Sequence, residues 1–181
     1  DYIYMLYAMI LILAALDQII KFIVTNQVAM NDSIPVISGF FSITYVKNTG
    51  GAFSFLAEKT WGIFVLAGIS VVVSVLLLIA LYRLRVKNVP WIRFALALLV
   101  AGTIGNMIDR IRTRYVVDYL MFQFGSYTFP VFNLADICIV CGSILLAVLL
   151  LFDKKLFLSA DAEKKNAKPT GDSAGEEELD K

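Results

Sequence analysis

Four long apolar stretches leave this chain few ways to fold. They run from Tyr2 to Val24, Trp61 to Tyr82, Trp91 to Ile108 and Leu134 to Phe152, and each is close to the roughly 20 residues a helix needs to cross the hydrocarbon core of a bilayer. Backbone in lipid must satisfy its own hydrogen bonds, so stretches of this kind become helices. The rest of the composition agrees. Of 181 residues, 59% are hydrophobic and 17% charged, against about a quarter charged in soluble domains, and mean hydropathy is +0.77. The expected fold is a mainly α membrane protein: four transmembrane helices with a small β-sheet and loop segment on the outer membrane face. The sequence starts at Asp1 rather than Met, so a few residues are expected to be missing ahead of it. The first stretch has no small-residue cleavage site and is expected to be a retained anchor.

An even number of spans puts both termini on one side. The short basic link Arg83, Arg85, Lys87, with Lys154 and Lys155 after the last span, marks that side as cytoplasmic. Arg110, Arg112 and Arg114 follow the third span on the opposite side, where ion pairs or lipid phosphates must hold them.

Both outer segments, 25–60 and 109–133, are more apolar than ordinary loops. Gly39 to Val46 is rich in aromatic and β-branched residues and is expected to form short strands. Lys47-Asn48-Thr49-Gly50-Gly51-Ala52-Phe53 then reads as a turn. The expected organisation is a four-helix transmembrane domain, 1–155, with 25–60 as its outer segment, and a charged, disordered cytoplasmic tail, 156–181, too poor in apolar residues to build a core.

With no His in the chain, Ser-His-Asp and Cys-His catalysis and imidazole metal sites are excluded. Cys138 and Cys141 lie three apart in an apolar run and read as packing residues. A net charge of +1 gives no field for nucleic acid. What needs explaining is four aspartates in or beside spans, since ionisable groups there are costly unless paired or wetted.

Asp17 and Lys21 are four apart on the first span, an arrangement that either neutralises itself or helps position a substrate. Asp109 closes Gly102-Thr103-Ile104-Gly105-Asn106-Met107-Ile108-Asp109-Arg110. There Gly102 and Gly105 permit close helix approach, and Asp109 is expected to be a structural anion among arginines. Arg110 either anchors that network or orients a substrate carbonyl. Asp118, in Tyr115-Val116-Val117-Asp118-Tyr119, is surrounded by apolar residues that favour its protonated form. Asp136 follows Asn133. With Asn133 as N-cap it falls at the third helical position, where the helix dipole favours an anion, and capping alone could account for it. Topology brings Asp118 and Asp136 to one membrane face, one biased toward the acid and one toward the anion, which is the asymmetry acid-base chemistry uses.

Five blocks then carry a resemblance: Asp17-Gln18-Ile19-Ile20-Lys21, Asn48-Thr49-Gly50-Gly51-Ala52-Phe53, Gly105-Asn106-Met107-Ile108-Asp109-Arg110, Val116-Val117-Asp118-Tyr119 and Phe132-Asn133-Leu134-Ala135-Asp136. In that order they closely resemble the bacterial lipoprotein (type II) signal peptidases over nearly all of residues 1–155. The resemblance implies a four-span aspartic endopeptidase of the bacterial inner membrane that removes signal peptides from prolipoproteins just before a diacylglyceryl-modified cysteine. It implies Asp118 and Asp136 as the catalytic pair near the outer face, working as a monomer without metal or cofactor. Asn48, Gly50, Arg110 and Asn133 would contact or shape the substrate site, with Asp17 and Lys21 in support and Gly105, Asn106 and Asp109 structural. The partners implied are the lipid-modified substrate and membrane lipids. Tyr119 stands where Phe is common in the family, and Thr103 interrupts a run often richer in Gly and Ala.

Three other readings are open to the residues alone. A proton relay would need ionisable groups through the bilayer depth, yet the second span has none before Arg83. A silent assembly factor would tolerate loss of both acids. A Ser/Lys protease would use Ser54 with Lys47 or Lys59, but nothing in the sequence depresses a lysine pKa there.

Overall fold

The computed structural model describes residues 2–50 and 61–152. Gly51, Ala52, Phe53, Ser54, Lys59, Lys154, Lys155 and the tail expected at 156–181 lie outside them. The chain divides into two units, 1–146 and 147–181; in the second, only the last residues of a helix are described.

Four long helices form where the apolar stretches predict them: α1 (Tyr2–Gln27), α2 (Gly62–Arg83, continued by a short 3-10 turn), α3 (Pro90–Thr113) and α4 (Leu134–Phe152). All four are long and apolar enough to cross a membrane. α2 is apolar nearly all round and α1 is so outside Asp17, Gln18, Lys21 and its polar last turn, with Leu11, Phe22, Phe64 and Leu76 exposed, as lipid-facing helices are. Burial separates the faces instead. On α1 the buried residues are Leu6, Ile10, Ala14, Asp17, Lys21 and Val24, a helical stripe that carries both charged groups inward.

α3 is the central helix, with more than half of its span buried against 17–22% for the others. Pro90 opens it at a position where a missing N–H costs nothing. It runs to Thr113 rather than stopping at Ile108, so Arg110 and Arg112 still lie in its last turn, where cations complement the helix dipole. Arg114 ends it in the left-handed conformation, φ 64°. Small residues let α4 approach: a Cβ on Gly102 would collide with the Ala135 carbonyl oxygen and with Ile139, and one on Gly142 would lie 2.9 Å from the Ala95 carbonyl oxygen.

The connections α1–α2 and α3–α4 together build one four-stranded antiparallel sheet, in the order β1 (Ser33–Ile37), β2 (Phe41–Asn48), β3 (Val116–Phe124), β4 (Tyr127–Thr128). The first segment was expected to form strands. The second supplies two more, and Val116–Phe124, rich in β-branched and aromatic residues, carried the signal for one of them. Val117 and Tyr119 pack with Tyr45 against Val24 and Val28, which seats one face of the sheet on the end of α1. Farther along, Phe40, Phe41, Phe122, Phe124, Phe129 and Phe132 stack edge to face or in parallel. Several remain exposed beside Ile34 and Val36, a surface suited to a membrane interface.

Candidate active site

The β2–β3 register pairs Val46 with Asp118 and Asn48 with Val116, so Asn48 and Asp118 are diagonal neighbours on one sheet face. Asn48 Nδ2 donates to Asp118 Oδ2 at 2.8 Å, and Gly50 N–H donates to Asn48 Oδ1 at 3.2 Å, fixing the amide's orientation. Because strand residues alternate, Val117 and Tyr119 face α1 while Asp118 points the other way.

Phe132 bridges to the same strand, its carbonyl accepting from Leu120 N–H at 2.8 Å, and this bridge sets where α4 begins. Asn133 is the N-cap, as expected. Its Oδ1 accepts from Asp136 N–H at 2.9 Å, and Asp136 Oδ2 accepts from Asn133 N–H at 3.2 Å, a reciprocal capping box. The Asn133 amide is fully buried and turns its Nδ2 to Asp118 Oδ1 at 2.7 Å. One residue thus binds both acids. Tyr119 Oη accepts the Leu134 N–H at 3.1 Å, occupying another free donor at the start of α4.

Asp118 and Asp136 line one cavity of about 360 Å³ with Asn48, Gly50, Asn106 and Arg110, and its apolar wall includes Leu66, Ile69 and Ile139. Burial pushes the Asp118 carboxyl up to about 6; the Asn48 hydrogen bond opposes this and the nearby Asp136 charge adds to it. Asn106, expected to be structural only, donates to Asp136 Oδ1 at 2.7 Å. Arg110 donates to Ser70 Oγ on α2 at 3.2 Å, and its Nε is buried without a partner among the described residues.

Behind the cavity lies the ionic part of the site. Lys21 Nζ reaches Asp17 at 2.7 Å, Asp109 at 2.8 Å and Asn106 Oδ1 at 3.1 Å, so all three of its protons are used. Asp17 also accepts from Ala135 N–H at 3.0 Å. Asp109 accepts from Gln18 Nε2 and from Val117 N–H, which ties α1 and β3 to α3. This corrects the expectation that arginines would partner Asp109. Asp109 and Arg110 are consecutive on a helix and point about 100° apart; the acid faces α1, where Lys21 is the cation, and the guanidinium faces α2. Gly105 is needed where this network passes α4, since a Cβ there would sit 2.7 Å from Asp17 Oδ2. Ser70 has no mark in the sequence beyond a polar side chain in an apolar run, and Gln18 stands only as a member of the Asp17–Lys21 block.

Cys138 is buried, Cys141 exposed, and neither is in a disulfide. No group of three or more His, Cys, Asp or Glu is placed to hold a metal ion among the described residues.

A family model described as Signal peptidase (SPase) II matches residues 9–152. Relatives named lipoprotein signal peptidase include one from Moorella thermoacetica, 44% identical over 75% of this chain and 85% of its own length. Another, from Symbiobacterium thermophilum, is 41% identical over 80% of this chain and 93% of its own. A solved bacterial membrane enzyme superposes with a TM-score of 0.67 at 31% identity, covering 83% of this chain and 94% of that one. The chain therefore belongs to the signal peptidase II family, and with its four long apolar helices it is a multi-pass bacterial membrane peptidase.

Proposed function

We propose that this protein is an aspartic endopeptidase that removes the signal peptide of prolipoproteins immediately before a diacylglyceryl-modified cysteine, with Asp118 and Asp136 as its catalytic pair. The observation that carries this reading is that two acids from different elements line one cavity and share Asn133 as a hydrogen-bond partner. The relatives' name supplies the substrate class.

The working form holds one proton on the pair. Asp118, raised to about 6, carries it, and Asp136 at the N-terminus of α4 is the anion. Asp136 takes a proton from water as the water oxygen attacks the scissile carbonyl, while Asp118 donates a hydrogen bond to the carbonyl oxygen. When the tetrahedral intermediate collapses, the C–N bond breaks and the leaving amine takes the proton from Asp136. Arg110, which lines the cavity and whose Nε has no partner among the described residues, is suited to hold a substrate carbonyl, and Asn48 and Asn133 keep Asp118 aimed. The cavity's apolar wall suits a substrate that stays in the membrane, with only the cleaved segment unwound. The basic link and the even number of spans support cytoplasmic termini and a site at the outer face.

The test is gel-shift cleavage of a lipidated prolipoprotein and its unlipidated form by wild type, Asp118→Asn and Asp136→Asn. Each variant is expected to be folded and inactive, and the unlipidated form to be cut far more slowly. Retained cleavage by either variant refutes the catalytic assignment; equal rates on the two substrates refute lipid recognition.

A further inference from the structure

A second cavity, of about 420 Å³, lies between the first turns of α1 and the last turns of α2, lined by Tyr7, Val75, Leu78, Ile79, Tyr82 and Arg83. It is remote from the acids. Ile69 belongs to their cavity, and at 1.5 Å per residue Arg83 is about 20 Å farther along the same helix. The wall is aliphatic and faces what would be lipid. One cation, Arg83, lines the cavity, and two more are held nearby. Arg85 stacks 3.6 Å over the Tyr82 ring and donates to the Tyr82 carbonyl oxygen. Arg93 donates to the Arg85 carbonyl oxygen and lies 4.9 Å over the ring of Tyr2, whose hydroxyl donates to Pro90.

None of these three guanidinium groups is in an ion pair among the described residues, and Arg93 Nε is buried there without a hydrogen-bond partner. The sequence contains no Asp or Glu from Tyr2 to Leu16 or from Gly62 to Ile108. Nothing in those stretches neutralises the cluster. Trp91, Tyr82 and Tyr2 are all exposed at this end, the usual level of lipid headgroups.

We propose that this cavity binds one anionic glycerophospholipid, an acyl chain lying along Val75, Leu78 and Ile79 and the phosphodiester meeting Arg83 and Arg85. Three cations with no acid beside them among the described residues favour an anionic headgroup over a zwitterionic one. The apolar wall favours a lipid over a free phosphate, which would gain nothing from it.

The full-length chain is extracted from vesicles of equimolar phosphatidylglycerol and phosphatidylcholine, and the retained lipid is counted by native mass spectrometry. Wild type should keep one phosphatidylglycerol in clear preference. Arg83→Gln with Arg85→Gln should lower that preference by about 30-fold. Leu78→Trp, which fills the cavity, should lower retention of either lipid, whereas Arg112→Gln, at the other end of the bundle, should change nothing. Equal retention of the two lipids by wild type overturns the proposal. So does an Arg112→Gln loss as large as that of the double variant, which would indicate unspecific attraction, and so does displacement of the lipid by inorganic phosphate alone. SDS-unfolding curves matching wild type establish that the variants fold, and a double variant that folds yet keeps its preference also overturns the site.

Discussion

Replacing Asp118 by Asn should change how stability responds to pH, by an amount set by the burial of this one carboxyl. Asp118 is 2% exposed, and burial raises it from 3.8 to about 6. Between those values the native protein keeps a proton that the unfolded chain has released. Stability therefore falls as pH rises: the contribution is fully present below the unfolded value and lost as the pH passes through the folded one. A displacement of about 2 units at 1.36 kcal/mol each corresponds to about 3 kcal/mol. SDS titration in mixed micelles, repeated from about pH 4 to about pH 8, gives unfolding free energies for wild type and Asp118→Asn. The wild-type minus variant difference cancels the other titrating groups and should fall by about 3 kcal/mol across that window. The absolute offset carries a separate cost, because Asn48 and Asn133 both donate to Asp118 and the new amide brings a donor to a donor. A difference curve that is flat, or that rises with pH, refutes the claim that the folded protein holds Asp118 against ionisation.

The same proton should appear in kinetics: kcat/KM on a lipidated prolipoprotein is expected to fall about tenfold per pH unit above about 6, as the singly protonated pair is lost, and a flat profile to higher pH removes Asp118 as the acid. Lys21→Met should cost about 3–5 kcal/mol in SDS unfolding, because Asp17 and Asp109 stay buried without their cation; a neutral result would mean water reaches them. Gly105→Ala should cost about 1–3 kcal/mol, its Cβ lying 2.7 Å from Asp17 Oδ2 and 3.1 Å from Ala135 Cβ, and wild-type stability would show that the helices part freely there. Tyr119→Phe should keep activity and lose about 1 kcal/mol, the worth of the hydroxyl on Leu134 N–H; no loss would mean water replaces it.

The helices were legible because a membrane span is written in length and hydropathy, and all four apolar stretches are helical. The end of α3 was harder. Met107 to Thr113 mixes charge with apolar residues, and hydropathy drops before the hydrogen bonding does. β2 was visible in its own composition. Pairing was not: that Val46 lies opposite Asp118 depends on a bulge between Ile43 and Val46, and a slip of one residue would turn Asp118 to the opposite face. Asn133 as the cap of α4 and Asp136 at its third position could be read from spacing alone. The partner of Asp109 could not, since it depends on which side of α3 meets α1, a fact of tertiary packing.

The same packing explains why, among the described residues, amides rather than charged side chains hydrogen-bond the two acids. Asn48, Asn106 and Asn133 donate to them, while the ammonium of Lys21 stops a side chain short at Asn106 Oδ1. At 4 Å and an effective dielectric of 20, a unit charge acts with about 4 kcal/mol, about three pKa units, enough to offset the burial that favours the proton on Asp118. Set behind Asn106, Lys21 lowers the Asp118 carboxyl by less than the Asn48 and Asn133 hydrogen bonds do. It still has a use there. Lys21 and Asn133 both donate to Asn106 Oδ1, so the Nδ2 of that amide can only turn toward Asp136. The cation thus orients a neutral donor on the anion without fixing the charge of the pair, and Asp17 and Asp109 are present to keep that cation where it can do so.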